Sequence, residues 1–165
     1  MRTETTTRTL YFFNELADKA KQKAIEKLWD INVDYEWWNP TYEDAANIGL
    51  KITGFDIDRA SYCKGELTMD PPGVIAAILK EHGDQCGTYQ LAKEWETYNF
   101  YPPLGYEEGE EPDLDEDKAE EFTYALREEY LSILRNEYEY LTSEAAIIDT
   151  TEANEYEFTE NGEMA

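Results

Sequence analysis

The chain has 165 residues and a formal net charge of -24, with 41% hydrophobic and 14% aromatic residues. Binding a nucleic-acid backbone needs a concentration of Lys and Arg that this composition lacks, and a basic surface is the partner it should attract instead. Four Trp, 13 Tyr and six Phe exclude a disordered acidic tract and allow one ordinary core, so residues 1–165 are expected to form a single α+β domain.

The charge is uneven: Glu107 to Ala165 holds 21 Asp/Glu against Lys118, Arg127 and Arg135. No apolar run is long enough to span a bilayer, and Met1–Arg8 lacks the apolar stretch of a secretory signal. Cys63 and Cys86 are isolated in sequence, which suits reduced thiols and the cytoplasm.

Residues 1–7 read as a flexible tail. Thr9–Phe13 is a short β-prone run, after which Asn14 is the expected cap of a helix over 15–29. Its apolar face holds Phe13, Leu16, Ala17, Ala20, Ala24 and Leu28, and Lys19, Lys21, Lys23 and Lys27 form the one basic patch. Asn39-Pro40 starts a second helix and Gly49 stops it, with Trp37 and Trp38 just before. Leu50 and Ile52 alternate with polar neighbours, and the phase moves by one at Gly54, which predicts a bulge. Asp58–Ser61 should then turn the chain into a second strand over 62–68.

Asp70-Pro71-Pro72 caps and opens a helix to His82, and Asp84 is the expected cap of another over 85–98. Residues 102–114 read as an acidic Gly/Pro loop. Asp115 or Asp117 opens the longest helix, ending near Leu141, with Phe122, Leu126, Tyr130, Ile133, Leu134, Tyr138 and Leu141 as its apolar stripe. Thr142 is the expected cap of a last helix to Ala153. Tyr156 and Phe158 alternate with glutamates before the Asn161-Gly162 turn, and this strand is expected to join the same sheet. The expected fold is a small antiparallel sheet of three to four strands, with four to six helices packed mainly on one face.

Catalytic constellations are sparse. His82 with Cys63 and Cys86 lacks the spacing of a zinc or nucleophile site. Asp113, Asp115 and Asp117 start like a calcium loop, but the sixth position is Lys118 rather than Gly and the twelfth is Tyr124 rather than Glu. Asp56, Asp58 and Glu66 could converge on the polar face of the hairpin, as carboxylates do in metal-dependent phosphodiesterases or nucleotide enzymes. A half-exposed strand explains the same alternation, so no catalytic residue, metal site or cofactor is assigned.

The carboxylates of the aromatic-rich C-terminal half are the candidate partner-binding set: Glu120, Glu121, Glu128, Glu129, Glu137 and Glu139 on the long helix, then Glu144 and Glu152. Carboxylates one or two helical turns apart, at about 5.4 Å per turn, are spaced on the scale of phosphates along a nucleic-acid strand.

Trp37-Trp38-x-x-x-Tyr42-Glu43-Asp44-Ala45, then Gly49-Leu50-Lys51-Ile52-x-Gly54-Phe55-Asp56-Ile57-Asp58-Arg59-x-Ser61-Tyr62-Cys63-Lys64-Gly65, resembles a family of small acidic proteins of phage and prophage genomes. Glu137–Ser143 and Glu152–Thr159 are similar to it as well. The resemblance implies a viral or mobile-element origin and no particular activity. It favours an anti-defence role, of anti-restriction or anti-CRISPR type. The expected function is a non-enzymatic, DNA-mimic-like inhibitor that binds a basic host protein. The alternative is a phage accessory protein that binds a host or viral protein without mimicry.

Overall fold

A computed structural model describes residues 1–101 and 113–165, so most of the acidic loop expected over 102–114 lies outside the described residues. The fold is α+β, with six α-helices and two antiparallel two-stranded ribbons among the described residues. The chain divides into two compact units, one of Trp38–Asn136 and one of Met1–Trp37 with Glu137–Ala165.

In the contiguous unit, α2 spans Asn39–Asn47 with Pro40 in its first turn, where a missing N–H costs nothing. Gly49 follows at φ +96, a conformation that favours glycine, and turns the chain into β2, Leu50–Asp56. β3, Tyr62–Leu67, pairs with it antiparallel, and the register shifts between Ile52 and Gly54, so the glycine at the phase slip does mark a bulge. Leu50, Ile52 and Cys63 turn to the core and Lys51 and Lys64 to solvent, as period-two alternation requires.

α3, Pro71–Glu81, is capped by the Asp70 carboxylate, which accepts from the Gly73 N–H at 3.0 Å. It buries Val74, Ile75 and Ile78 on the ribbon's inner face. α4, Gly87–Trp95, starts after Cys86 rather than at the expected Asp84, because Gly83–Gln85 first make a turn closed by Cys86 N–H to Gly83 C=O. α5, Glu116–Leu141, is the long helix, and Asp115 opens it by accepting from the Lys118 N–H at 3.2 Å. Phe122, Leu126 and Tyr130 are completely buried. Phe100 stacks on Trp95 and meets Phe122 edge to face, centroids 5.8 Å apart in both pairs. Each such aromatic contributes about 1.5–3 kcal/mol by burial alone.

In the other unit, β1, Tyr11–Phe12, pairs antiparallel with β4, Glu157–Phe158. The expectation that the last strand joins the hairpin's sheet is therefore corrected: the four strands fall into two ribbons. Phe158 is fully buried against Phe13, edge to face at 6.1 Å, and Leu16, Ala20 and Ala24 complete that core. Asn14 is not the cap of the first helix. Glu15 reaches back to the Phe12 N–H at 2.8 Å and closes a 3-10 turn over Phe13–Glu15, so α1 begins only at Asp18 and runs to Lys27. α6, Glu144–Ala153, is capped by Ser143 rather than Thr142, whose hydroxyl instead donates back to the Tyr138 carbonyl. The buried Asn32 side chain donates to Leu141 C=O at 3.0 Å and accepts from Thr150 at 2.7 Å.

The two neighbouring tryptophans serve different units. Trp37 packs on Tyr138, and Trp38 meets Phe55 edge to face at 5.8 Å.

Candidate partner-binding surface

The α5 carboxylates are positioned by the helix that carries them. At about 100° per residue, Phe122, Leu126, Tyr130 and Leu134 sweep one buried side, and Glu121 and Glu128 fall opposite its centre. Both are exposed and lie two turns, about 10.5 Å, apart along the axis. Neither joins the ion pairs that Glu96, Glu120 and Glu163 make with Lys or Arg. The charge of this unit's outer helical side is thus left for solvent or a partner.

Two of the expected residues behave differently. Glu120 is exposed but ion-paired to Arg127 at 2.9 Å. Glu129 is half-buried, its carboxylate lying against Gly87, where a Cβ would collide with it. In the other unit, Glu137, Glu139, Glu144 and Glu152 are all exposed, and Glu144 accepts from Gln22 at 3.4 Å. Glu144 also sits in the first turn of α6, where the helix dipole favours it.

The basic face of α1 is partly spoken for. Lys27 and Lys23 reach Glu163 at 3.0 and 3.9 Å, and Lys21 lies over the Phe13 ring. The hydrogen bond and charge of Lys27, with the charge of Lys23, hold the Glu163 carboxyl below its ordinary range.

Among the candidate catalytic groups, Asp56 accepts from the Asp58 N–H at 2.8 Å, an Asx turn that shapes the end of the hairpin. Among the described residues no three His, Cys, Asp or Glu side chains gather as metal ligands. Both cysteines are free, and burial, with the charge of Glu128 also raising it and that of Arg127 opposing, pushes the Cys63 thiol up to about 11.

Sequence reading missed a polar knot in the contiguous unit. His82 Nε2 lies 3.0 Å from Asp44 Oδ1, its Nδ1 bonds Thr88 Oγ1, and the Tyr130 hydroxyl donates to Asp44 Oδ2 at 2.9 Å. Burial first, then Asp44, raises the Tyr130 phenol far above its ordinary range. The knot looks like a nucleophile–imidazole–carboxylate chain, but Thr88 is 1% exposed, so its hydroxyl cannot meet a substrate as the chain stands. It ties α2, α4 and α5 together. Asp44 and Tyr130 are 86 positions apart, and no local pattern announces their bond.

A groove of about 1020 Å³ also opens in this unit between β3 and the first half of α5, with Gly65, Leu67, Glu116 and Arg127 in its walls. Among the described residues no helix is long and apolar enough to cross a membrane. What fold and surface define is an α+β protein with an uncompensated acidic exterior. Comparison with protein families, with curated proteins and with solved structures finds no match.

Proposed function

We propose that this protein is a non-catalytic, DNA-mimic-like inhibitor that binds a basic surface of a nucleic-acid-binding or defence protein in a bacterial cytoplasm. The anti-restriction or anti-CRISPR type and the phage origin belong to the same reading. The observation that carries it is the outer side of α5, where Glu121 and Glu128 stand exposed and unpaired opposite a fully buried stripe. A rigid helix bearing fixed charge presents it without the entropic cost of ordering a flexible tail, and steers association with a basic groove.

Capture from a bacterial lysate across salt concentrations tests the reading. Nucleic-acid-binding proteins should be retained, and added duplex DNA should compete them off. Reversing Glu121 and Glu128 to Lys should leave the fold intact and weaken capture by about tenfold or more. Capture that DNA does not compete with would point to protein binding without mimicry. The inhibitor reading is dead if Asp56→Asn with Asp58→Asn abolishes function in a folded protein while the reversal does nothing; a metal-dependent enzyme would then take its place.

A further inference from the structure

We infer that the groove between β3 and α5 is a docking site for an extended, Lys/Arg-bearing segment of another protein, which adds to β3 as a third strand. The inference rests on the basic partner proposed above and specifies where on the contiguous unit that partner docks, and in what conformation.

The backbone of β3 supplies the first half of the argument. Among the described residues this strand pairs with β2 alone. The Thr68 N–H bonds Gly49 C=O across the ladder at 2.8 Å, so the Gly49–Thr68 pair is a bonded one. Bonded and non-bonded pairs alternate in an antiparallel ribbon, which turns the N–H and C=O of Leu67, Gly65 and Cys63 away from β2. Arg127 confirms that phase: its guanidinium donates to the Gly65 carbonyl at 3.2 Å from the outer side. Cys63, Gly65 and Leu67 all line the groove. A strand added at about 4.8 Å spacing would take over the Gly65 carbonyl from Arg127, with backbone bonds giving affinity and alternate side chains giving selectivity.

The opposite wall is helical. Glu116, Ala119, Glu120, Thr123 and Arg127 recur at the spacing of one helical face and border the groove together. A strand edge facing a helix is the geometry in which a peptide can be bonded on one side and held by side chains on the other.

Charge chooses the occupant. The walls hold Glu66, Asp70, Glu116 and Glu120 against Lys64 and Arg127. Arg127 is satisfied by Glu120, and Lys64 lies over the Tyr62 ring, 5.0 Å from its centroid. Glu66 and Glu116 are exposed and make no ion pair, so the groove favours a cationic segment and repels an acidic one.

The probe is a fluorescent seven-residue peptide of alternating Lys and Val, with two controls. One is the same peptide N-methylated at every second residue, which keeps its charge and removes strand donors. The other replaces Lys by Glu. Anisotropy should show binding of the first, at least tenfold weaker binding of the N-methylated form, and none of the acidic form. Amide resonances of Cys63, Gly65 and Leu67 should shift on saturation. Glu66→Gln with Glu116→Gln should weaken binding about three- to tenfold, and more than Glu121→Lys with Glu128→Lys does. Equal binding of the N-methylated peptide, or shifts confined to the outer side of α5, overturns strand addition. Either result leaves the acidic outer face, and the lysate experiment that tests it, untouched.

Discussion

The two units bury aromatic cores of similar kind but assemble them from chain of very different separation. In Trp38–Asn136 the ribbon is a hairpin whose strands are neighbours in sequence, and Leu50, Ile52 and Cys63 meet α3 only a few residues later. In the other unit, Phe13 must find Phe158 from the far end of the chain, and the ladder between their segments is only two residues per strand. Short, distant strands contribute few ladder bonds, so the side-chain core of the second unit carries what the local hairpin shares between backbone and side chains. Placement of a unit's core is therefore easiest to read where closure is local.

The largest test sets one core residue of each unit against the other. Phe158→Ala should cost about 3–5 kcal/mol and strip exchange protection from the amides of Ala20 and Ala24, because Phe158 fills the core that these two alanines share with Phe13 and Leu16. Leu126→Ala should cost about 2–5 kcal/mol and strip protection from Ile52 and Ile78. If Phe158→Ala costs under about 1 kcal/mol by denaturant unfolding, the contrast between the units is wrong.

A smaller effect sharpens the contrast at the backbone. Gly162 has φ +82, and a Cβ there would run into the Ala20 carbonyl of α1. Gly162→Ala should cost about 1–2 kcal/mol or more and loosen the C-terminal turn from α1. Gly54, where an added Cβ meets nothing and φ is not positive, should accept Ala nearly silently. Equal costs at the two glycines would show that the α1 approach is not what fixes the turn.

The smallest effect is electrostatic. Because Lys27 and Lys23 lower the folded pKa of Glu163, their contribution is present above the carboxyl's unfolded pKa and fades as pH falls through the lower folded value. A titration followed by NMR should place the Glu163 midpoint below that of an ordinary glutamate, and Lys27→Met should move it up. An unchanged midpoint in the variant would remove Lys27 as the cause.

Sequence periodicity is most informative where one element carries its own signal. The α5 stripe, the Asp70 cap, the slip at Gly54 and the acidic helix start at Asp115 all depend on residues a turn or a strand pair apart, and all are found in place. The cap of the first helix was not legible, because Glu15 reaching back to Phe12 competes with a helical turn that Asn14 would also allow. Among the candidate site residues, exposure followed from helical phase for Glu121 and Glu128. The pairing of Glu120 with Arg127 and the partial burial of Glu129 against Gly87 could not be phased in advance, since helical angle alone does not say which neighbour stands beside it.

The sequence by itself determined an acidic, aromatic-rich α+β chain: net charge, helix periods, the Asp70 cap and the bulged hairpin are properties of composition and of neighbours within a few residues. Tertiary structure alone decided that the last strand pairs with the first, that Tyr130 donates to Asp44 beside His82, and that β3 turns its outer edge toward α5, where Arg127 meets the Gly65 carbonyl. Each of these joins groups from distant parts of the chain, and a backbone donor or a hydroxyl carries no mark in sequence of the partner that burial will require it to find.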